Sequence, residues 1–435
     1  MSRNIQFSLV LTPHTESTMS KSMMKAIAFN PTTNFLEISH VPIPTPKDDE
    51  VLVRIKAFSL DRADLHPFYS RSSKKDDSSK EDCYQHQRHI PGTEAVGVIV
   101  SPTTLSHSSG DNSDKELPAV LILQPSLGDR KSIYAEYMTL AKTRLQHIRT
   151  SLPWEILAAM PNAFYIAWGA LIRVLGLRPK ERILVRGAES EIGRAAVAVA
   201  RSHGAWVAGV ITNSSKENAD EDGMGEGGGN EEEGKRQRKA KEVLVRESGA
   251  GMVVWDCECL ASRVEIPIGY HKPEEEEMRD EGGDKEKKRK EHPSSSSSSS
   301  EQEQQQQQQK SDLGPPFDKV LHLASQTTIG DSLKSVKRGG TACFVPTRPS
   351  LPSSNSSSPN ILTTADVTDL IPSETRLTVY RATVDQFLNT PFQALVNQVE
   401  TGKMKVHVGR AFGIDEVGEA WRCLMNEEGK VVVLV

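Results

Sequence analysis

Residues 183–211, ILVRGAESEIGRAAVAVARSHGAWVAGVI, constrain the fold more than any other part of the chain. A short β-branched run at 183–185 enters a turn at 187–193. Ile192, Ala195, Ala196 and Val199 then fall on one face of a helix, and a second apolar run follows at 206–211. Strand, turn, helix and strand in one stretch predict a βαβ unit, with two parallel strands and a helix laid over their sheet. The alternation continues with a helical remnant at 240–248, a strand at 252–255, a strand at 319–323, a helix at 329–336 and a strand at 341–345. Upstream the pattern differs. Residues 50–57 alternate, with Val51, Val53 and Ile55 on one face, 95–100 read as another strand, and 154–175 have helical spacing. A helix at 391–401 and a strand at 430–435 close the chain. The fold class expected is α/β, a β-rich domain followed by a doubly wound parallel sheet.

A turn that binds phosphate needs backbone N–H groups facing the ligand, a helix N-terminus behind them and small residues at the approach. Gly187, Ala188, Ser190 and Gly193 are small, and Arg186, Glu189 and Ile192 complete the candidate turn. Ser190 stands where its hydroxyl would donate to a phosphate in place of a glycine. Glu189 and Glu191 oppose this reading, because a carboxylate beside pyrophosphate repels it unless it points to solvent. Arg186 and Arg194 flank them as compensating charges. On glycine spacing alone, a dinucleotide turn and a bare strand–helix connection are equally open. At the tip of the second strand an NAD site places an acid for the ribose hydroxyls. Here the chain reads Thr212, Asn213, Ser214, Ser215 and Lys216, which suits a 2′-phosphate. NADPH is therefore the expected cofactor, with Thr212, Asn213 and Lys216 at its adenosine end. The competing reading is a polar loop with a surface lysine.

The ordered frame is interrupted. Residues 1–22 read as a disordered tail, and 70–88, 102–117, 217–237, 258–314 and 347–364 as disordered or loop excursions. They hold too few apolar residues to offset chain entropy, and 258–314 carries charged blocks, a serine tract and a glutamine tract. The full length of 435 residues still leaves room for two domains. A net charge of -5 gives no reason to expect nucleic acid as a partner. No apolar run approaches the ~20 residues that cross a bilayer, so no membrane partner is expected. Arg3 and Lys21 are too few bases for a transit peptide, and a cytoplasmic location is expected. The five cysteines are scattered and suggest neither a disulfide framework nor a zinc quartet. Cys83, His86 and His89 are close in sequence but read as incidental residues of a loop.

Nine blocks in order resemble the zinc-independent medium-chain dehydrogenase/reductases of the quinone oxidoreductase kind. They are SLDRADL (59–65), PGTEAVGVIV (91–100), YAEYMTL (134–140), AAMPNAFYIAWGAL (158–171), ILVRGAESEIG (183–193), FDKVLHLAS (317–325), DSLKSVKRGGTACF (331–344), LTVYRA (377–382) and GKVVVLV (429–435). The resemblance implies a GroES-like β-barrel domain at 23–152, completed by 381–435, around a Rossmann cofactor domain at 153–380. Zinc-dependent relatives carry a cysteine ligand in the first block and His-Glu in the second. This chain has Thr93-Glu94 there, so no metal is expected. The resemblance further implies hydride transfer from NADPH to a conjugated carbonyl or quinone, with proximity of two planar groups supplying much of the rate. Asp61 stands where relatives often have Asn, and a carboxylate donates no hydrogen bond unless protonated. His66 aligns with a tyrosine of many relatives and is the candidate proton donor, against the reading of a plain loop residue. Ala324, Ser325 and Thr347 are expected along the nicotinamide side. Tyr134, Tyr165 and His322 read as packing or satisfied buried residues. A homodimer is left open. Two rival readings are a catalytically idle nucleotide-binding scaffold with protein-interaction insertions, and an enoyl-reducing accessory enzyme of a biosynthetic pathway.

Overall fold

The computed structural model describes residues 22–30, 35–61, 64, 90–100, 119–123, 133–212, 231–257, 260, 317–346, 370–426 and 429–435. In chain order, β1 (Met23–Asn30) and β2 (Phe35–Pro42) pair as an antiparallel ribbon. Then come β3 (Glu50–Leu60), β4 (Glu94–Val100), β5 (Ala119–Leu123), β6 (Tyr137–Ala141) and β7 (Leu145–Ile148). Helices α1 (Trp154–Ala158) and α2 (Pro161–Trp168) lead to β8 (Arg182–Arg186), α3 (Glu191–Ser202) and β9 (Trp206–Ile211). Next are α4 (Glu231–Glu247), β10 (Met252–Trp255), β11 (Phe317–His322), α5 (Ile329–Lys334), β12 (Val336–Phe344) and β13 (Arg376–Val379). The chain closes with α6 (Val384–Leu388), α7 (Phe392–Glu400), β14 (Val408–Gly413), α8 (Val417–Asn426) and β15 (Lys430–Leu434).

Strands from both halves of the chain build one seven-stranded sheet, in the order β14-β15-β3-β4-β5-β7 with β6 also on β3. Val431 lies opposite Leu60 in the antiparallel β15–β3 pair. That register brings Lys430 level with Asp61. The second sheet has six parallel strands in the order β10-β9-β8-β11-β12-β13. Sequence order reverses between β8 and β11, and the crevice beyond their C-terminal ends is where ligands bind in such sheets. Both faces are covered. Ile183, Val185, Val207, Ile211 and Leu321 pack on α2 and α3. Leu184, Val210, Val320 and Ala342 pack on Ile329 and Leu333 of α5 and on Leu260. Doubly wound α/β is the result.

Two expected excursions run too far. Helix α4 begins at Glu231, so residues 231–237 are helical rather than part of a 217–237 loop. Acidic residues at a helix start complement its dipole, and glutamates four residues ahead of Lys235 and Arg236 supply helix-stabilising spacing without apolar residues. Leu260, inside the expected 258–314 excursion, is fully buried beneath the parallel sheet.

Candidate cofactor site

The turn that follows β8 is built by two glycines. Gly187 has φ +83°, and a Cβ there would lie 3.1 Å from Leu323 Cβ. A Cβ on Gly193 would run into the Gly187 carbonyl oxygen and Ala188 Cα, so the helix closes on the strand only because no side chain stands there. The amides of Gly187 and Ala188 both donate to Val210 O at 3.0 Å, fixing the turn to β9. Ser190 caps α3. Its hydroxyl accepts from Gly193 N–H at 3.0 Å and donates to Gly187 O at 2.7 Å. The serine proton expected to reach a phosphate is thus used inside the turn, where the Gly187 carbonyl is the nearer acceptor. Among the described residues, the donors of the turn left for an anion are the amides of Glu191 and Ile192, because the first N–H groups of a helix have no acceptor within it. Ile192 is half-buried and packs toward the first sheet face. A pyrophosphate fits this cradle: a glycine turn at the switch point backed by a twelve-residue helix.

The acid missing from the tip of β9 comes from the turn itself. Glu189 Oε1 accepts from the Thr212 amide at 3.2 Å and from the Thr212 hydroxyl, while Oε2 is buried with no partner among the described residues. Burial raises the Glu189 pKa, opposed by Thr212 and by nearby Lys241. Helix α4 therefore delivers basic residues to the same corner. Lys241 acts on Glu189, and the Arg238 guanidinium stacks 5.4 Å from the Trp255 ring at the end of β10. Sequence reasoning singles out neither Lys241, inside the expected helical remnant at 240–248, nor Arg238, between that remnant and the expected loop at 217–237. Asn213 and Lys216 lie outside the described residues.

Arg186 is corrected from the turn to the sheet. Its side chain is on the opposite face from α3, only 2% exposed. It donates bidentately to Asp256 at 2.7 and 2.9 Å, and to Thr328 O at 2.8 Å, Ser332 Oγ at 3.1 Å and Asp331 at 3.3 Å. Side chains alternate along a strand, so Arg186 shares the face of Leu184, not that of the helix. His322 lies beside it, with Nδ1 2.8 Å from Ser332 Oγ and Nε2 2.9 Å from Ser325 O. Burial pushes its pKa down to about 4. Ala324 and Ser325 follow β11 at the switch point, but the Ser325 hydroxyl is turned to Thr327 at 3.0 Å. Thr347 lies outside the described residues.

Across the cleft, the antiparallel sheet presents a dense acidic cluster. Lys430 Nζ, 3% exposed, sits 2.5 Å from Glu94 Oε1 and 2.6 Å from Glu191 Oε2. Glu94 also accepts from Ser59 Oγ at 2.5 Å and from the Asn162 amide at 2.7 Å. Burial works against the Lys430 charge, but Glu191 and Glu94 overcome it and raise its pKa. Asp61 adds its charge to this group. Its amide donates to Tyr134 Oη at 3.3 Å, and Tyr134 Oη donates to Asp64 Oδ2 at 2.5 Å. Burial and the neighbouring Asp61 push Asp64 up to about 7, against the hydrogen bonds from Tyr134 and Thr93. Tyr134 stacks on Phe58, with centroids 4.6 Å apart, so it is a packing aromatic with a polar task. Tyr165 packs edge-on against Phe387. The candidate proton donor His66 and the trio Cys83, His86 and His89 lie outside the described residues. Among the described residues no three His, Cys, Asp or Glu side chains gather as a metal site.

A family model described as zinc-binding dehydrogenase matches residues 299–433. Human quinone oxidoreductase is 26% identical over 173 residues, 39% of this chain and 46% of that protein. The chain therefore spans less than half the length of this curated relative. A segment of the polyketide synthase GfsB from Streptomyces halstedii is 42% identical over 118 residues, 26% of this chain and 2% of that protein. The crystal structure of AibC superposes with a TM-score of 0.59 at 19% identity, covering 98% of this chain and 99% of that one. The quinone oxidoreductase of Thermus thermophilus, solved also with NADPH, gives 0.55 at 20% identity, covering 95% and 100%. At these identities the solved structures speak for the fold alone. Over 299–433 the chain is thus similar to zinc-binding dehydrogenases and over about two-fifths of its length to quinone oxidoreductases, on a fold with the sheet order and glycine turn described above.

Proposed function

We propose that the chain is an NADPH-dependent, zinc-free oxidoreductase that reduces a quinone-like or α,β-unsaturated carbonyl compound. The observation that carries this reading is the glycine turn at the switch point between β8 and β11, opening onto Asp61 and Lys430. The amides of Glu191 and Ile192 would hold the pyrophosphate. Lys241, with Arg238 beside it on α4, would hold the 2′-phosphate, joined by Lys216 and Asn213. A bound nicotinamide supplies a hydride. The chain's own task is to hold a flat acceptor in the cleft, exclude water and keep a proton ready. Asp64 keeps such a proton near neutral pH, hydrogen-bonded to Tyr134 behind Asp61. Thr93 lies 3.5 Å from Asp64 at the position where zinc-dependent relatives carry an imidazole. Titration of the purified protein with NADPH and NADH, followed by a panel of quinones and enones, tests the proposal. Failure of both dinucleotides to bind would sink it. The 42% identity to a polyketide synthase segment favours a second reading, reduction of an enoyl thioester, which an enoyl thioester added to the panel separates.

A further inference from the structure

The Glu191–Lys430 pair joins the phosphate turn to the antiparallel sheet. Lys430 is on β15, Glu94 on β4, and Glu191 is the first residue of α3. One ammonium thus lies between two carboxylates, with Asp61 as a third negative charge close by. The two carboxylates differ. Glu94 is fully buried and fixed by Ser59 and Asn162, whereas Glu191 is about one-third exposed and has Lys430 as its hydrogen-bonded partner. Glu191 can swing away, and Glu94 cannot. A carboxylate at the first position of a helix also satisfies the partial positive charge of its N-terminus. Both attractions that the cleft offers an incoming anion, the helix start and the lysine, are therefore already met by a residue of the turn.

We infer that Glu191 is an internal counter-ion that competes with the ligand's pyrophosphate, so that the dinucleotide binds only when Glu191 gives up Lys430. The inference rests on the dinucleotide reading of the cleft for the identity of the ligand, but the competition applies to any diphosphate. Two anions cannot share the cradle at low cost, because charges at close range in a partly buried site are weakly screened. Specificity between NADPH and NADH lies elsewhere, at Lys241. Glu191 lowers the affinity for both alike.

The test is Glu191→Gln, titrated beside the unaltered protein with NADPH, NADH and inorganic pyrophosphate. Lys430 keeps Glu94 in this variant, so no buried ammonium is orphaned and the fold survives; Glu191→Ala repeats the test without an amide. All three ligands should bind about tenfold more tightly, with the NADPH to NADH ratio unchanged. Tighter pyrophosphate binding without binding of either dinucleotide would keep the counter-ion and overturn the dinucleotide reading. Unchanged or weaker binding of all three ligands in both variants would overturn the counter-ion. Binding of none of them to any of the proteins would overturn both.

Discussion

The proposed nucleotide preference and the response to pH are both testable at single residues. Lys241 acts on Glu189 beside the tip of β9, where the proposed 2′-phosphate would share its charge. Changing Lys241→Glu should weaken NADPH by at least about tenfold and leave NADH within about twofold, because a charge-assisted phosphate contact is worth about 1.4 kcal/mol. Equal losses for both nucleotides would place Lys241 outside the 2′-phosphate site. Asp64 predicts a pH effect of definite sign. Its pKa in the folded chain, about 7, lies above the ordinary aspartate value of 3.8, so the folded state binds more protons between those limits. Its stabilising contribution is complete below pH 3.8 and is lost as pH rises through 7. Asp64→Asn keeps an acceptor for Tyr134 and removes the ionisation. Relative to the native chain it should gain up to about 4 kcal/mol between pH 4 and pH 8, read by denaturant unfolding. His322 runs the other way, since its lowered pKa favours the folded state at high pH, but it is common to both proteins and cancels. A constant difference across that range would show that Asp64 is not protonated in the folded chain.

At the scale of elements, Arg186 ties β8 to the end of β10 and to α5 through Asp256, Asp331 and the Thr328 carbonyl. Arg186→Met should cost about 3–5 kcal/mol in urea unfolding, because it removes the buried guanidinium that pairs with both Asp256 and Asp331. A loss under about 1 kcal/mol would mean that water replaces the guanidinium. Gly193 belongs to the same scale. A valine at Gly193 would put its Cβ against the backbone of the turn, so α3 itself would have to shift. The βαβ unit was legible because 183–211 keeps strand and helix periods intact over its whole length. The first two turns of α4 were not, since charged residues there carry no apolar period. The partners of the site residues were illegible for a related reason. Ser190 caps its own helix, Glu189 crosses to Thr212, Arg186 crosses to Asp256, and Lys430 meets Glu94 from the other end of the chain. Residue type predicts that a charge needs a partner, but only the sheet order decides which one arrives.

For the whole molecule, the question is how much chain the fold can lose between β10 and β11. These strands are not neighbours, because β9 and β8 lie between them. Both run parallel, so any connection must return along the sheet and also step over three strand spacings of ~4.8 Å. That path is about 25 Å, which needs at least about 8 extended residues and in practice about a dozen. Loop length beyond that minimum is cheap, at ~0.6 kcal/mol per doubling. Leu260 sets the other limit, since it is fully buried against the second sheet face. Replacing 264–314 with about twelve Gly/Ser residues should therefore leave unfolding cooperative and nucleotide affinity unchanged. Replacing 258–314 with the same linker should cost about 2–4 kcal/mol more, the usual penalty for removing a buried leucine. Denaturant unfolding of the two deletions side by side decides it. Equal stability would show that Leu260 adds nothing to the core, and loss of cooperative unfolding in both would show that the removed segment itself holds the parallel sheet together.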